Sequence, residues 1–348
     1  MPKHNPLARD LESILVEVGA AWETLHGARL FVTGGTGFVG RWLLESLLRA
    51  DTEFQLGLRA TVLSRNPHRL KLMAPHLDLA ASPSLDFLEG DIRDFPFPDS
   101  RFTHVIHAAT DPSVRARRDS ASQACETIVA GTARTIALAV RSGVSRFLYV
   151  SSGAVYGPQP VDLSHLREDD LDQVAPVGPY ALGKREAEDR VFQEARRHGF
   201  SASVARGFTF IGPHLPVDAA YAAADFLRDA LHGGPIKVLG DGTPVRSYLY
   251  ASDMASWLWM ILLRGASGRA YNVGSEAEIS IAGLARKVSE AAGVGWTIAQ
   301  PPGSPNRLPQ RYVPSTARIS LELGVKSSVC LEDAIDRTLR WTRNRQEA

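Results

Sequence analysis

Ala28-Arg29-Leu30-Phe31-Val32-Thr33-Gly34-Gly35-Thr36-Gly37-Phe38-Val39-Gly40 decides how this chain of 348 residues is read. An apolar run ends in closely spaced glycines, and an amphipathic stretch, Trp42 to Leu48, follows. That order predicts strand, tight turn, helix. Gly34, Gly37 and Gly40 carry no Cβ, so a pyrophosphate can lie against the backbone at the helix N-terminus. Far downstream stands Tyr180-Ala181-Leu182-Gly183-Lys184. Four residues apart on a helix, a phenol and an ammonium share one face. The two stretches together point to a dinucleotide with a proton-transfer group beside it, and so to an oxidoreductase-type enzyme.

Working outward, apolar strands alternate with amphipathic helices. Strands are predicted at Leu30–Val32, Ala60–Leu63, Leu85–Leu88, Val105–Ile106, Arg146–Val150 and Ala202–Ala205, with helices at Arg41–Ala50, Ser120–Ser142 and Tyr180–His198. Near-continuous apolar strands between helices predict a parallel sheet covered on both faces. The expected fold is therefore α/β, a Rossmann-type doubly wound parallel sheet with a smaller C-terminal α/β substrate-binding region. Leu7 to Leu25 reads as one helix in an N-terminal extension, residues 1–27, that packs as an appendage. The dinucleotide domain spans 28–206, with 247–276 interleaved. After Gly207, prolines and glycines punctuate short elements, and further helices are expected at Ala251–Leu263 and Ile281–Ala292. Residues 207–246 and 277–348 form the expected substrate region, with a proline-rich loop from Pro301 to Pro314. The cleft is expected at the carboxyl ends of the strands.

Composition narrows the function. A formal net charge of +1 predicts no general attraction to nucleic acid or to a membrane surface. The two cysteines, Cys125 and Cys330, make neither a disulfide framework nor a zinc-ligand spacing, so no metal site is expected. No secretory apolar segment is visible near the N-terminus, and Trp257–Leu263 is too short to span a bilayer. The expectation is a cytoplasmic protein.

With the motifs Gly90-Asp91-Ile92, His107-Ala108-Ala109, Val150 to Gly157, Arg206 to Pro213, Arg246 to Tyr250 and Tyr271 to Gly274 in that order, the chain from about Ala28 onward resembles the extended short-chain dehydrogenase/reductases. These are the NAD(P)-dependent nucleotide-sugar epimerases and dehydratases. The resemblance implies a nucleotide-diphosphate sugar substrate and a homodimer formed through the helices Ser120–Ser142 and Tyr180–His198. It implies a cofactor site at Gly34, Gly37, Phe38, Val39, Gly40, Asp91, Ile92, Ala108, Ala109, Lys184 and Gly207. Asp91 reads equally as a turn residue. The acidic residue that usually ends the second strand and binds the ribose hydroxyls is absent from Leu63-Ser64-Arg65-Asn66. Arg65 could clamp a 2′-phosphate instead, which leans the expectation from NAD toward NADP, or it is a solvated loop charge.

The resemblance assigns catalysis to Ser152, Tyr180 and Lys184. A tyrosine is ordinarily a poor base at neutral pH, and a neighbouring ammonium favours its phenolate. Tyr180 would exchange a proton with a sugar hydroxyl, Ser152 would hydrogen-bond the same oxygen, and Lys184 would also hold the nicotinamide ribose. Sugar 4,6-dehydratases of this kind place Asp-Glu directly after the serine or threonine, and the sugar-acid decarboxylases have a glutamate at the second position. Here those positions are Gly153 and Ala154, which carry no protons to transfer. The expected reaction is thus epimerisation through a transient 4-keto sugar. The alternative is NADPH-dependent reduction of a 4-keto sugar, and a reading of a different class is a non-catalytic dinucleotide-binding sensor. Arg246 and Arg311, with Arg307, are expected on the nucleotide diphosphate; Asp111, Ser113 and Thr209 are expected near the sugar, although Asp111 and Ser113 read equally as helix N-caps. Thr209 and Ile128 replace two asparagines usual in the family.

Overall fold

The computed structural model describes residues 5–67, 84–110, 121–173, 175–216, 221–300 and 310–346. The chain opens with α1, Ala8–Val18, which passes into a 3-10 helix, Gly19–Leu25. The extension is therefore two helical pieces rather than one. Gly19, at φ 52°, ends the first piece, a backbone state that L side chains rarely adopt.

The sheet then begins with β1, Arg29–Thr33. Next come α2, Phe38–Phe54, and β2, Arg59–Ser64. They are followed by β3, Leu85–Glu89, β4, His104–His107, and α3, Ala121–Ser142. After β5, Arg146–Ser152, a 3-10 turn, Gly153–Tyr156, and a second, Glu168–Gln173, lead to α4, Pro179–His198. Then come β6, Ser201–Gly207, and β7, Phe210–Ile211.

In the C-terminal part lie α5, Ala222–Leu231, β8, Ile236–Val238, β9, Val245–Ser247, β10, Leu249–Tyr250, and α6, Ala251–Arg264. They are followed by β11, Arg269–Val273, β12, Glu278–Ser280, α7, Ile281–Ala292, and β13, Trp296–Ile298. The last elements are β14, Arg311–Tyr312, α8, Ala317–Leu323, and α9, Leu331–Gln346. The sequence reading missed α5, α8 and α9. The expected loop to Pro314 contains a strand at its end, because Arg311 and Tyr312 pair in parallel with Val245 and Arg246. Residues 301–309 of that loop lie outside the described residues.

Seven strands form one parallel sheet in the order β3-β2-β1-β4-β5-β6-β11. Strand order reverses between β1 and β4, so their carboxyl ends open the crevice where α/β sheets bind ligands. One face is covered by α2, α6 and the N-terminal extension. Trp22 packs at a tilt on Trp259, 5.0 Å between ring centroids, and the Trp259 indole donates to Ser46 Oγ at 2.8 Å. Leu11, Ile14 and Trp22 thus belong to the same core as the sheet, and Asp10 accepts from both Tyr250 Oη and Arg337. The other face is covered by α3 and α4, with Phe31, Phe147 and Val204 inside. A third core joins α5, α7 and α9 beside the sheet's carboxyl end. Both cysteines are free thiols. Among the described residues, no helix is long and apolar enough to cross a membrane, and no cluster of His, Cys, Asp or Glu could hold a metal ion.

Candidate active site

The glycine turn links β1 to α2 at the strand-order reversal. A Cβ on Gly34, at φ 74°, would lie 2.5 Å from the carbonyl oxygen of Ala108, and one on Gly40 would lie 2.2 Å from the Gly34 carbonyl. These two glycines let the turn, the helix and the end of β4 close on one another. Gly37 differs: it is exposed, a Cβ there would touch only the Gly34 carbonyl, and it caps α2 without a side-chain hydrogen bond. The amides of Phe38, Val39 and Gly40 in the first turn therefore have no intrahelical acceptor, which suits an anion. This open, amide-lined cradle fits the pyrophosphate of a dinucleotide.

Ala108 and Ala109 follow β4 directly across the crevice. A buried relay holds them: Ala109 N donates to Thr33 Oγ1 (3.1 Å), Thr33 Oγ1 lies 2.7 Å from His107 Nδ1, and His107 Nε2 lies 3.0 Å from Thr132 Oγ1. The Thr33 hydroxyl thus bridges the Ala109 amide and the buried imidazole. Burial, aided by the charge of Lys184, pushes His107 down to about 3; burial and Arg146 push His104 to about 4. Both fold neutral, so stability is whole above the ordinary histidine value near 6.5 and is lost as pH falls toward the folded values. Each contributes up to about 1.4 kcal/mol per pH unit in that window. Urea unfolding at pH 4.5 and 7.5 is expected to show this loss, and His107→Gln to reduce the difference.

Asp91 closes the turn after β3. Its carboxylate accepts from the Arg93 amide (3.0 Å) and side chain (2.7 and 3.2 Å), and this pairing, with a contribution from Arg65, holds it below the usual carboxylate range. Arg65 itself is exposed at the end of β2. Two guanidinium groups thus gather around Asp91. Ile92 packs against Gly131 of α3, where a Cβ would approach its side chain to 2.8 Å.

The remaining side chains converge at the carboxyl end of β5. Ser152 ends that strand and caps the 3-10 turn, accepting from Ala154 N at 3.2 Å. Tyr180, half-buried, and Lys184, buried, lie in the first two turns of α4, which packs on β5 and on that 3-10 turn. Lys184 Nζ donates to the Val150 carbonyl at 2.8 Å and sits 4.8 Å from the centre of the Tyr149 ring. Its positive charge is thereby anchored two residues before Ser152. Gly207 pairs with Ser152 in register, and half-buried Thr209 follows it.

Arg246 lies on β9 and Arg311 on β14, in a small sheet with β12. Arg246 is half-buried; its Nη1 donates to the carbonyls of Val245 (2.8 Å) and Gln310 (3.2 Å), and burial lowers its pKa. Arg311 pairs with Glu278. Asp111, Ser113 and Arg307 lie outside the described residues. Ile128 is buried in the core that covers α3, which accounts for an apolar residue there.

A family model described as "NAD dependent epimerase/dehydratase family" matches residues 30–274. The chain belongs to that family. It is 28% identical over 322 residues to a dTDP-glucose 4,6-dehydratase of Streptomyces niveus, covering 91% of this chain and 93% of the relative. It is 28% identical over 310 residues to UDP-glucuronic acid decarboxylase 6 of Arabidopsis thaliana, covering 88% and 86%. The solved structure of the dTDP-glucose 4,6-dehydratase DesIV from Streptomyces venezuelae, with NAD bound, matches with a TM-score of 0.78 and 28% identity over 92% of this chain and 98% of that one. This family member is thus an enzyme of the extended short-chain dehydrogenase/reductase type, related to enzymes that act on nucleotide sugars.

Several residues important to the site were not legible beforehand. The rings of Phe208 and Tyr312 pack with a tilt at 4.7 Å between centroids, directly behind Gly153. A Cβ on Gly153 would lie 2.5 Å from Tyr312 Oη and 2.8 Å from Phe208 Cζ. Beneath β5, Arg206 and Glu188 form a buried pair at 2.8 Å that also engages Ser151, Tyr156 and the Glu168 carbonyl.

Proposed function

We propose that this enzyme is a nucleotide-sugar epimerase that works through a transient 4-keto sugar and keeps its dinucleotide bound. Gly34, Gly37, Phe38, Val39 and Gly40 would hold the pyrophosphate of NAD. Asp91 and Ile92 would bracket the adenine, Ala108, Ala109 and Gly207 would line the path of the cofactor, and Lys184 would hold the nicotinamide ribose. The nicotinamide, when bound, supplies reversible hydride acceptance. Tyr180 Oη takes the proton of the sugar hydroxyl and later returns it. Ser152 Oγ hydrogen-bonds the same sugar oxygen and keeps it aimed at Tyr180, and Lys184 stabilises the phenolate. Arg246 and Arg311 would bind the nucleotide diphosphate, and Thr209 the sugar.

The observation that carries this reading is at residues 153 and 154. No carboxylate follows Ser152, and the space at Gly153 is already filled by Phe208 and Tyr312. Chemistry that needs an acid or base there is disfavoured, although the relatives named above are a dehydratase and a decarboxylase. Gly153→Asp is expected to lower unfolding stability by about 1–3 kcal/mol through overpacking and to yield no 4-keto-6-deoxy product. Stability unchanged in urea, or dehydration gained, would count against the packing argument.

A second reading, NADPH-dependent 4-keto reduction, draws on Arg65 and Arg93, two cations near the end of β2 that could hold a 2′-phosphate. One experiment separates the readings. Small molecules released from the purified protein are identified by mass spectrometry, and UDP- and dTDP-sugars are incubated with and without added dinucleotide. Retained NAD and epimer formation without additions support epimerisation. Consumption of NADPH in proportion to product transfers the assignment to reduction, and a 6-deoxy product overturns both. Two copies are expected to associate through α3 and α4, as a dimer by light scattering.

A further inference from the structure

Behind the glycine turn lies a buried polar cluster that none of the site residues above includes. Arg41, Trp42 and Glu45 lie in the first turns of α2, and all three are buried in the middle of the molecule. Arg41 Nε donates to the Thr36 carbonyl at 3.0 Å, so one edge of its guanidinium grips the glycine turn itself. Its Nη1 lies 3.4 Å from His214 Nδ1, and His214 Nε2 lies 2.7 Å from Glu45 Oε1. Neither the histidine nor the glutamate side chain has any exposed surface. Arg41 can only donate, so Nδ1 must accept; the carboxylate can only accept, so Nε2 carries the proton. One neutral imidazole therefore bridges a guanidinium and a carboxylate, and it suits both only in that tautomer.

The chain around His214 is shaped for this contact. His214 sits at φ 71°, unusual for a residue with a side chain. Its ring packs on Trp341 of α9 at 4.9 Å, and the Trp42 indole donates to the Pro213 carbonyl at 2.9 Å. The loop after β7, which leaves the substrate side of the cleft just beyond Thr209, is thereby fastened to the helix whose first turn lines the pyrophosphate cradle.

We propose that His214 is a positioning residue: with Arg41 and Glu45 it sets the glycine turn for the dinucleotide and couples that turn to the loop at 211–216. The inference rests on the dinucleotide lying at the glycine turn, as in the reading above. Without its imidazole acceptor, Arg41 loses one of the contacts that fix its guanidinium against the Thr36 carbonyl, and the turn is held less firmly.

The test is the Kd of ADP-ribose, which carries the pyrophosphate without the nicotinamide, measured by calorimetry on the full chain freed of any retained dinucleotide and well below each variant's unfolding temperature. His214→Leu is expected to weaken binding about tenfold, the scale of one charge-assisted hydrogen bond. His214→Gln can accept from Arg41 and donate to Glu45 at once, and is expected to restore most of the affinity. A purely structural histidine would lower the unfolding temperature in both variants and leave Kd alike. Unchanged affinity in a folded His214→Leu protein overturns the inference while leaving the dinucleotide reading intact; failure of the unmodified protein to bind ADP-ribose overturns both. Should His214→Leu not fold, hydrogen exchange on the unmodified protein decides. ADP-ribose is expected to slow exchange at the amides of His214 and Leu215, and no change there refutes the coupling.

Discussion

Tyr180→Phe is expected to lower turnover by about 10²–10⁴-fold, the usual contribution of a positioned acid–base group, while the dinucleotide stays bound. The substitution removes one oxygen from a half-buried ring in the first turn of α4 and leaves the ring's packing against the apolar core of α3 and α4 in place. Lys184, held by the Val150 carbonyl, and the glycine turn are untouched. The loss is expected in kcat, with Kd for NAD within a few-fold of the unmodified enzyme, because the proton moves only in the reaction. Activity that survives the substitution would remove Tyr180 from the chemistry; dinucleotide binding without turnover in the unmodified protein, unchanged by the substitution, would favour the sensor reading. Ser152→Ala is a useful companion, since it would delete the proposed second hydrogen bond to the sugar oxygen and also the cap on the 3-10 turn.

Arg206→Leu is expected to cost about 3–5 kcal/mol of unfolding free energy, because it strands the Glu188 carboxylate without its partner in the interior. The guanidinium makes a two-pronged contact with Glu188 at 2.8 and 3.0 Å and donates to Tyr156 Oη at 2.9 Å. Tyr156 in turn donates to Asn272 Oδ1 at 2.8 Å, and the Asn272 amide reaches the Leu166 carbonyl. One substitution therefore loosens β5, β6, β11 and the segment before α4 together. The double variant Arg206→Leu with Glu188→Leu is expected to be more stable than Arg206→Leu alone, since no unpaired charge remains. Urea unfolding of the three proteins gives the comparison. If the single variant unfolds at the same denaturant concentration as the parent, the carboxylate is reaching water by a route the structure does not have.

These two positions differ in how early they could be recognised. Tyr180 and Lys184 stand four apart, and that spacing alone puts them on one helical face. Arg206 stands within a strand motif, and its partner is on a helix whose own pattern reads as charged and exposed. An ion pair between elements leaves no periodic trace, because neither residue's neighbours report the other's position.

The amino-acid sequence by itself determined the alternation of buried strands and two-faced helices, the turn at Gly34–Gly40 and the four-residue spacing of Tyr180 and Lys184. All of these follow from interactions within a few residues, where side-chain period and backbone freedom leave few alternatives. Only the tertiary structure decided that Phe208 and Tyr312 close the space behind Gly153, that Arg65 comes beside Asp91, and that His214 reaches back to Arg41 and Glu45. Each of those contacts joins segments brought together by the packing of the whole chain. Their geometry is set by the cores on either side of the sheet and not by any local preference of the residues that meet.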